Sequence, residues 1–241
     1  MTGGTTLDGF LGGRLTIEQP KRGSGFRAGH DSVLLAASVR AGSGEYVLEL
    51  GSGAGVVGLC LAARVPGVRV LGVEIDTEMA VLANSNATRN ALSDRVRFVA
   101  GDAREVLLPD APFSHIVFNP PFHLASGHVS PNANRDRARR DTDNALKIWT
   151  DIARSLVETA GTITIVTRAD RFEEWCGVNR GTIEWIPILS HEGDAPKRII
   201  ARLYPGGDNG KKQLPAIVLH GPDGQATEAA ERLLRHGDGL Q

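Results

Sequence analysis

The sequence predicts a single α/β domain with a seven-stranded, mostly parallel sheet, an antiparallel strand pair near its C-terminal end and helices on both faces. Three observations lead to this prediction. Short β-branched runs alternate with helical patterns from residue 46 to residue 177, which is typical of βαβ units on a parallel sheet. A glycine-rich turn joins the first of these strands to its helix. The final third instead contains two long strands without a helical pattern between them, which indicates antiparallel neighbours.

The core of the predicted sheet comes from five β-branched runs, each bounded by a turn signal or a helical pattern. These runs are residues 46–50, 68–73, 96–100, 115–118 and 161–167. Helical spacing of apolar residues predicts the intervening helices at 56–64, 76–91, 144–159 and 171–177. Pro66 and Gly67 close the first helix, and Asp76 or Thr77 is the expected N-cap of the second.

Further elements flank this core. A strand-like segment at 11–17 and a helix at 29–39 form a lead-in. The antiparallel strands are residues 182–190 and 198–204, followed by a strand at 214–219 and a helix at 227–234. No linker is long or polar enough to separate domains, so we expect one domain with a lead-in over 1–43, a cofactor-binding core over 44–205 and an extension over 206–241.

Composition narrows the class of protein. The 241 residues are 41% hydrophobic and carry a net charge of -1, so contact with nucleic acid must be local rather than a general coating. The two cysteines, Cys60 and Cys176, lack the spacing of metal ligands. They predict a reduced cytoplasmic compartment and no metal site. The longest apolar stretch, residues 56–63, is too short to cross a bilayer.

The glycine-rich turn places Gly51, Gly53 and Gly55 at alternate positions after the first core strand. Glycine lets the backbone approach a ligand closely at such a turn. The dinucleotide fingerprint G-x-G-x-x-G would need a glycine where Val56 stands, and it binds a pyrophosphate at the helix N-terminus. Glu49, just before the turn, instead suits a carboxylate that faces an amino-acid ammonium. The alternative is a tight turn that binds no ligand.

Two acidic residues follow at the ends of the next two strands. Glu74 lies about 20 residues beyond the glycine turn, where a carboxylate accepts hydrogen bonds from both hydroxyls of a ribose. Asp102, followed by Ala103, suits recognition of the exocyclic amine of an adenine. Asp102 also suits the N-cap of a following helix, and the two roles are compatible.

The segment Asn119-Pro120-Pro121-Phe122 ends the fourth core strand, at the sheet edge where open α/β sheets bind ligands. The prolines fix the backbone, so the Pro120 carbonyl points rigidly outward. With the amide oxygen of Asn119 it offers two acceptors to one planar amino group, and these favour the pyramidal nitrogen of a transition state. Phe122 offers a face on which a planar ring stacks. Taken alone, the segment also fits an ordinary turn at the end of a strand.

In this order, the glycine turn, Glu74, Gly101-Asp102-Ala103 and the N-P-P-F segment resemble class I methyltransferases that modify exocyclic or amide nitrogens. Residues 10–15 (FLGGRL), 25–36 (GFRAGHDSVLLA) and 219–229 (LHGPDGQATEA) resemble more narrowly the bacterial tRNA(Val) adenine-N6 methyltransferases. The resemblance spans nearly the whole chain. It implies a Rossmann-like fold, S-adenosylmethionine as methyl donor, and Asn119 and Phe122 at the target amine and ring, with Asn119 also among the residues that border the donor. The chain departs from that family's usual residues at His30 and Phe122.

The resemblance also implies a tRNA substrate, with an anticodon-loop adenine turned outward into the site. Two loops supply the candidate phosphate contacts, which are Lys21, Arg22, Arg27, Arg135, Arg137, Arg139 and Arg140. Asp136, Asp141 and Asp143 offset most of the arginine charge in the second loop, so a solvated loop is an equal alternative there. His30 is a further candidate beside the donor, whereas Asp31 is expected to cap the helix that follows.

Other functions remain as alternatives to tRNA adenine methylation. A protein glutamine-N5 methyltransferase would use the same segment on a side-chain amide, although the chain has no separate N-terminal helical domain. A DNA adenine methyltransferase would need a target-recognition domain, and none is evident. A cofactor-binding scaffold would have no need of the N-P-P-F segment. Val56 and the non-alternating final third argue against an NAD-dependent oxidoreductase.

Overall fold

The computed structural model describes residues 4–23, 27–106, 112–120 and 142–240. The N-terminal part is an antiparallel hairpin that stands apart from the main sheet, formed by β1 (Thr5–Phe10) and β2 (Leu15–Pro20). A short 3-10 turn over Leu11–Gly13 joins the two strands, and Gly12 and Gly13 both have positive φ there. The strand expected at 11–17 is therefore wrong in its first half, which forms this turn, and β1 is an addition.

The main sheet has nine strands among the described residues, in the order β10-β8-β9-β7-β6-β3-β4-β5, with β11 also paired to β8. The strands are β3 (Tyr46–Leu50), β4 (Arg69–Glu74), β5 (Val96–Ala100), β6 (Phe113–Phe118), β7 (Val157–Arg168), β8 (Thr182–Leu189), β9 (Arg198–Tyr204), β10 (Lys211–Gln213) and β11 (Ile217–Val218). The seven predicted strands form its body, with β9 antiparallel to both β7 and β8. The short strands β10 and β11 extend it along β8.

Helices cover both faces of the sheet, as predicted. They are α1 (His30–Ser38), α2 (Val56–Arg64), α3 (Thr77–Arg89), α4 (Thr142–Leu156), α5 (Ala169–Val178) and α6 (Glu228–Glu231), which continues into a π-helical turn over Arg232–His236. Apolar residues of α1, α2 and α3 pack on one face, and those of α4 and α5 on the other. Asp76 caps α3 by accepting from the N–H groups of Glu78 and Met79, as expected. α4 ends at Leu156 rather than at 159, because β7 begins at Val157.

The strand register brings the candidate residues to one edge. Leu50 of β3 pairs with Phe118 of β6 on one side and with Val73 of β4 on the other. Glu74 pairs with Ala100 of β5. Since paired strands lie about 4.8 Å apart, the segments that follow these residues emerge side by side at the carboxyl edge of the sheet. None of the helices in the described part of the chain combines the length and apolar composition that a membrane span needs.

Candidate active site

The glycine-rich turn has a backbone that only glycine adopts readily. Gly51, Gly53 and Gly55 have φ values of 66°, 53° and 83°, all in the left-handed region. The N–H groups of Gly51 and Ser52 both donate to the carbonyl oxygen of Val73, at 2.8 and 3.1 Å. The turn is thus fixed to the end of β4 before it enters α2.

Two carboxylates, the buried Glu49 and the half-buried Glu74, adjoin this turn. Glu49 is 3% exposed and its Oε2 accepts from the N–H of Gly58 at 2.9 Å. Burial raises the pKa of Glu49 to about 8, the Gly58 N–H opposes that rise, and the negative charge of Glu74 adds to it. Burial likewise raises the pKa of Glu74, whose oxygens accept from the N–H groups of Gly53 and Asp76 at 2.7 and 3.0 Å. A positively charged ligand would relieve the repulsion between the two carboxylates.

Asn119 follows β6 directly, and its Oδ1 is buried without a hydrogen-bond partner among the described residues. The adjacent Pro120 is buried, whereas Pro121 and Phe122 lie outside the described residues. A buried hydrogen-bond acceptor without a partner costs about 1–3 kcal/mol, so the arrangement suits a ligand that supplies a hydrogen-bond donor. The stacking expected from Phe122 stays a prediction.

A small pocket, part of it open to solvent, brings Glu49 and Gly51 together with Asn119. Its lining includes Ala28, Ser32, Glu49, Gly51, Ser52 and Asn119. The hydroxyl oxygen of Ser52 is also buried without a partner among the described residues. The pocket therefore offers hydrogen-bonding oxygens and a carboxylate, which suit a ligand rich in N–H donors and positive charge and do not suit a pyrophosphate.

Asp102 lies two residues beyond β5, in a turn rather than at the start of a helix. Its Oδ1 accepts from the backbone N–H and Nε of Arg104 at 3.0 and 2.9 Å, and its Oδ2 lies 2.5 Å from the Nη2 of that arginine. The helix-cap alternative is therefore wrong. Ala103 is half-buried against the apolar cluster under α4 and α5.

The basic candidates differ in their surroundings. Lys21 and Arg22 are exposed. The Arg27 guanidinium is instead bound within the hairpin, to Asp8 at 2.5 Å and to Thr6 at 2.7 Å. Arg135, Arg137, Arg139 and Arg140 lie outside the described residues.

His30 is the exposed first residue of α1, and the lining of the pocket comes from Ala28 and Ser32 on either side of it. The expected cap by Asp31 is wrong. Gly29 occupies the N-cap position without a side-chain hydrogen bond, and Asp31 pairs with Nε of Arg198 at 3.1 Å.

Several described residues at the site were not predicted, and three of them bear on its chemistry or shape. Ser52 and Ser32 line the pocket, and Trp149 of α4 packs on the glycine turn. The Trp149 ring also meets Phe118 edge-on, with centroids 5.7 Å apart. Ser52 lies inside the glycine motif and could have been found there, whereas the contact of Trp149 joins residues about a hundred positions apart. Among the described residues, no group of three histidine, cysteine or acidic side chains has the arrangement of a metal site.

The chain is similar to known methyltransferases in sequence and in fold. Residues 27–170 match the family described as methyltransferase small domain. The chain is 35% identical over 206 residues to a tRNA1(Val) (adenine(37)-N6)-methyltransferase from Porphyromonas gingivalis, covering 80% of this chain and 79% of that one. It is 34% identical to a release factor glutamine methyltransferase from Chlorobaculum tepidum, over 37% of this chain and 31% of that one. Among solved structures, a predicted O-methyltransferase from Agrobacterium tumefaciens has a similar fold, with a TM-score of 0.70, 22% identity and coverage of 88% and 98%.

Proposed function

We propose a function from the premise that this chain belongs to the family of bacterial tRNA1(Val) (adenine(37)-N6)-methyltransferases, within the methyltransferase small-domain proteins. It transfers a methyl group from S-adenosylmethionine to the exocyclic N6 of an adenine in tRNA, in the anticodon loop beside the anticodon. The chain acts as one methyltransferase domain in the cytoplasm, where both of its cysteines, which are buried and unpaired, stay reduced.

The observation that carries the proposal is the position of Asn119. Its buried, unpartnered Oδ1 borders the same pocket as Glu49 and Gly51. A site that binds only the methyl donor would not need an unpaired hydrogen-bond acceptor at the end of β6. An acceptor there is what an amino group needs if it is to be held beside the donor.

The carboxylates and the glycine turn suit S-adenosylmethionine, which carries an ammonium group and a cationic sulfur and no phosphate. When bound, this donor supplies a methyl group attached to that positively charged sulfur. We assign Glu49 to the ammonium, the backbone of Gly51, Gly53 and Gly55 to close contact with the donor, and Glu74 to the ribose hydroxyls. Asp102 and Ala103 bind the adenine of the donor, and the adenine amine then shares the Asp102 carboxylate with Arg104.

Asn119 and Pro120 orient the acceptor amine. Oδ1 of Asn119 and the carbonyl oxygen of Pro120 accept hydrogen bonds from its two N–H groups. These bonds turn the nitrogen lone pair out of conjugation with the ring and toward the methyl donor. Phe122 stacks on the adenine ring. Because the reaction is an in-line transfer, positioning supplies several kcal/mol of the catalytic effect and little acid–base chemistry is needed. The new N–C bond would form as the C–S bond of the donor breaks with its electron pair returning to sulfur, and the methylated nitrogen would then lose one proton to solvent.

The tRNA must present its adenine outside the base stack to reach this edge of the sheet. We assign phosphate contacts to Lys21, Arg22 and the arginines at 135, 137, 139 and 140, with His30 as an exposed neighbour of the pocket. Arg27 is already paired with Asp8 and is therefore the weakest candidate for a phosphate contact. Since the net charge is -1, RNA binding rests on these local groups and weakens steeply with salt.

Methyl transfer from labelled S-adenosylmethionine to bulk tRNA lacking this modification tests the proposal, followed by nucleoside analysis. A matched reaction contains a glutamine-bearing peptide in place of the tRNA. We expect N6-methyladenosine in the tRNA and no label in the peptide. Label in the peptide alone would indicate a glutamine methyltransferase, and calorimetric binding of NAD without binding of S-adenosylmethionine would contradict the donor assignment.

A further inference from the structure

A fully buried asparagine joins the N-terminal hairpin to the glycine turn. Asn86 of α3 is 0% exposed, and its Nδ2 donates to the carbonyl oxygen of Ala54 at 3.0 Å. The same side-chain amide forms two hydrogen bonds with the backbone of Glu18. Its Nδ2 donates to the carbonyl oxygen of Glu18 at 2.9 Å, and its Oδ1 accepts from the N–H of Glu18 at 2.8 Å. Ala54 lines the pocket and precedes Gly55, the N-cap residue of α2.

Asn90, one helical turn further along α3, binds β2 in the same way. Its Oδ1 accepts from the N–H of Thr16 and its Nδ2 donates to the oxygen of Thr16, both at 2.9 Å. Four residues of helix rise about 6.0 Å and two residues of strand about 6.8 Å, so the two amides match alternate residues of β2. Nδ2 of Asn90 makes its further bond to the oxygen of Asn86 in its own helix, whereas Asn86 reaches the pocket wall.

The hairpin also binds a second lining residue of the pocket, Ala28. Gln19 is 1% exposed, and its Oε1 accepts from the N–H of Ala28 at 2.9 Å. Its Nε2 donates to Oδ2 of Asp8 at 3.0 Å, the oxygen that also binds Arg27. Ala28 lines the pocket beside Asn119. Adjacent residues of β2 are thus connected to two lining residues of the pocket, Glu18 to Ala54 through Asn86 and Gln19 to Ala28 directly.

We propose that Asn86 and Gln19 are positioning residues for the donor, and that the hairpin acts through them to hold Ala54 and Ala28 in place at the pocket. This inference rests on the proposed function, because it takes the pocket to be the site of S-adenosylmethionine. Without Asn86 the carbonyl of Ala54 loses this partner, and the end of the glycine turn loses its connection to the hairpin. Without Gln19 the N–H of Ala28 is released in the same way.

Calorimetry with S-adenosylmethionine on the full chain tests the proposal, using Asn86→Ala, Gln19→Ala and the control Asn90→Ala. Asn86→Ala and Asn90→Ala each remove an α3 amide that binds the hairpin, and Gln19→Ala removes an amide that the hairpin itself supplies. Thermal unfolding of each variant identifies a temperature at which it is folded, and binding is measured there. We expect Asn86→Ala and Gln19→Ala to weaken donor binding by roughly tenfold or more, and Asn90→Ala by less than about threefold. In steady-state methylation the two test variants raise the donor KM and leave kcat within about threefold, because neither residue touches the acceptor.

The outcomes separate the inference from the function beneath it. A wild-type chain that binds no S-adenosylmethionine overturns the proposed function and this inference together. Wild-type binding with test variants that match Asn90→Ala overturns the inference alone, and so does a loss confined to kcat. If Asn86→Ala does not fold, the comparison of Gln19→Ala with Asn90→Ala decides the question, since Gln19→Ala tests the role of the hairpin through its contact with Ala28.

Discussion

The N–H of Gly53 donates to Oε2 of Glu74 at 2.7 Å, which joins the middle of the glycine turn to the carboxylate at the end of β4. The two sequence motifs are therefore one structural unit. Glu74 holds the turn in place and keeps a carboxylate at the position proposed for the ribose. A change at Glu74 acts on both.

Glu74→Gln is expected to weaken binding of S-adenosylmethionine roughly 10- to 100-fold, since hydrogen bonds to a charged group contribute about 1.5–3 kcal/mol. Asp94→Asn is the matched control, because Asp94 is exposed and precedes β5 at the opposite edge of the sheet. Calorimetry on both variants checks the prediction. Equal donor affinity in the two would remove Glu74 from the donor site.

Donor affinity should depend on pH through Glu49. The pKa of this buried carboxyl is raised to about 8, so below that pH the protein must release a proton before the carboxylate pairs with an ammonium. We expect affinity to rise by up to about tenfold per unit between about pH 6 and 7.5, below the range in which an α-amino group loses its own proton. In Glu49→Gln the slope should vanish. A slope of the same size in that variant would assign the titration to another group.

The same carboxyl affects stability with a defined sign. The folded pKa of Glu49 lies above its ordinary value of 4.5, so its favourable contribution is complete below pH 4.5 and is lost as the pH rises towards 8. Urea unfolding of Glu49→Gln should therefore show a smaller fall in the free energy of unfolding over this range than the wild type. Glu105→Gln, at an exposed position, should keep the wild-type fall. An equal fall in the free energy of unfolding for wild type and Glu49→Gln would show that the pH dependence does not come from Glu49.

Gly51→Ala should lower the free energy of unfolding by more than its backbone strain alone explains. A Cβ there would lie 2.5 Å from Cη2 of Trp149, at a φ of 66°. Gly44→Ala is the control, because Gly44 has a φ of 84° and open space around it. Both variants carry about 1–2 kcal/mol of left-handed strain, and overpacking adds about 1–3 kcal/mol at Gly51 alone. Denaturant unfolding checks this, and equal losses would mean that the Trp149 ring moves aside freely.

Local patterns predicted most of the framework and the first groups of the site. The glycine turn, Glu74 and Asn119 each follow a strand, so the order of strands in a parallel sheet already places them at one edge. The hairpin strand β1 was not predicted, because the burial of Thr5–Phe10 does not follow a regular alternation.

Contacts between distant segments account for the remaining differences. Asn86 and Ala54 are 32 residues apart, and Asp31 and Arg198 are 167 residues apart. A helix-cap motif gave the wrong role for Asp31 because the partner comes from β9. Arg27 was expected to be free for phosphate, but Asp8 of the neighbouring strand binds it. Spacing along the chain carries no signal for such pairs.

The most direct test of the central claim compares wild type and Asn119→Ala for N6-methyladenosine formed in tRNA and for the Kd of S-adenosylmethionine. We predict that Asn119→Ala loses roughly 100-fold or more in turnover, the usual effect of removing a preorganised group that stabilises the transition state. We also predict a donor Kd within about threefold of wild type, because the acceptor oxygen serves the amine and not the donor. Turnover near the wild-type value, or a parallel loss of donor binding, would contradict the account.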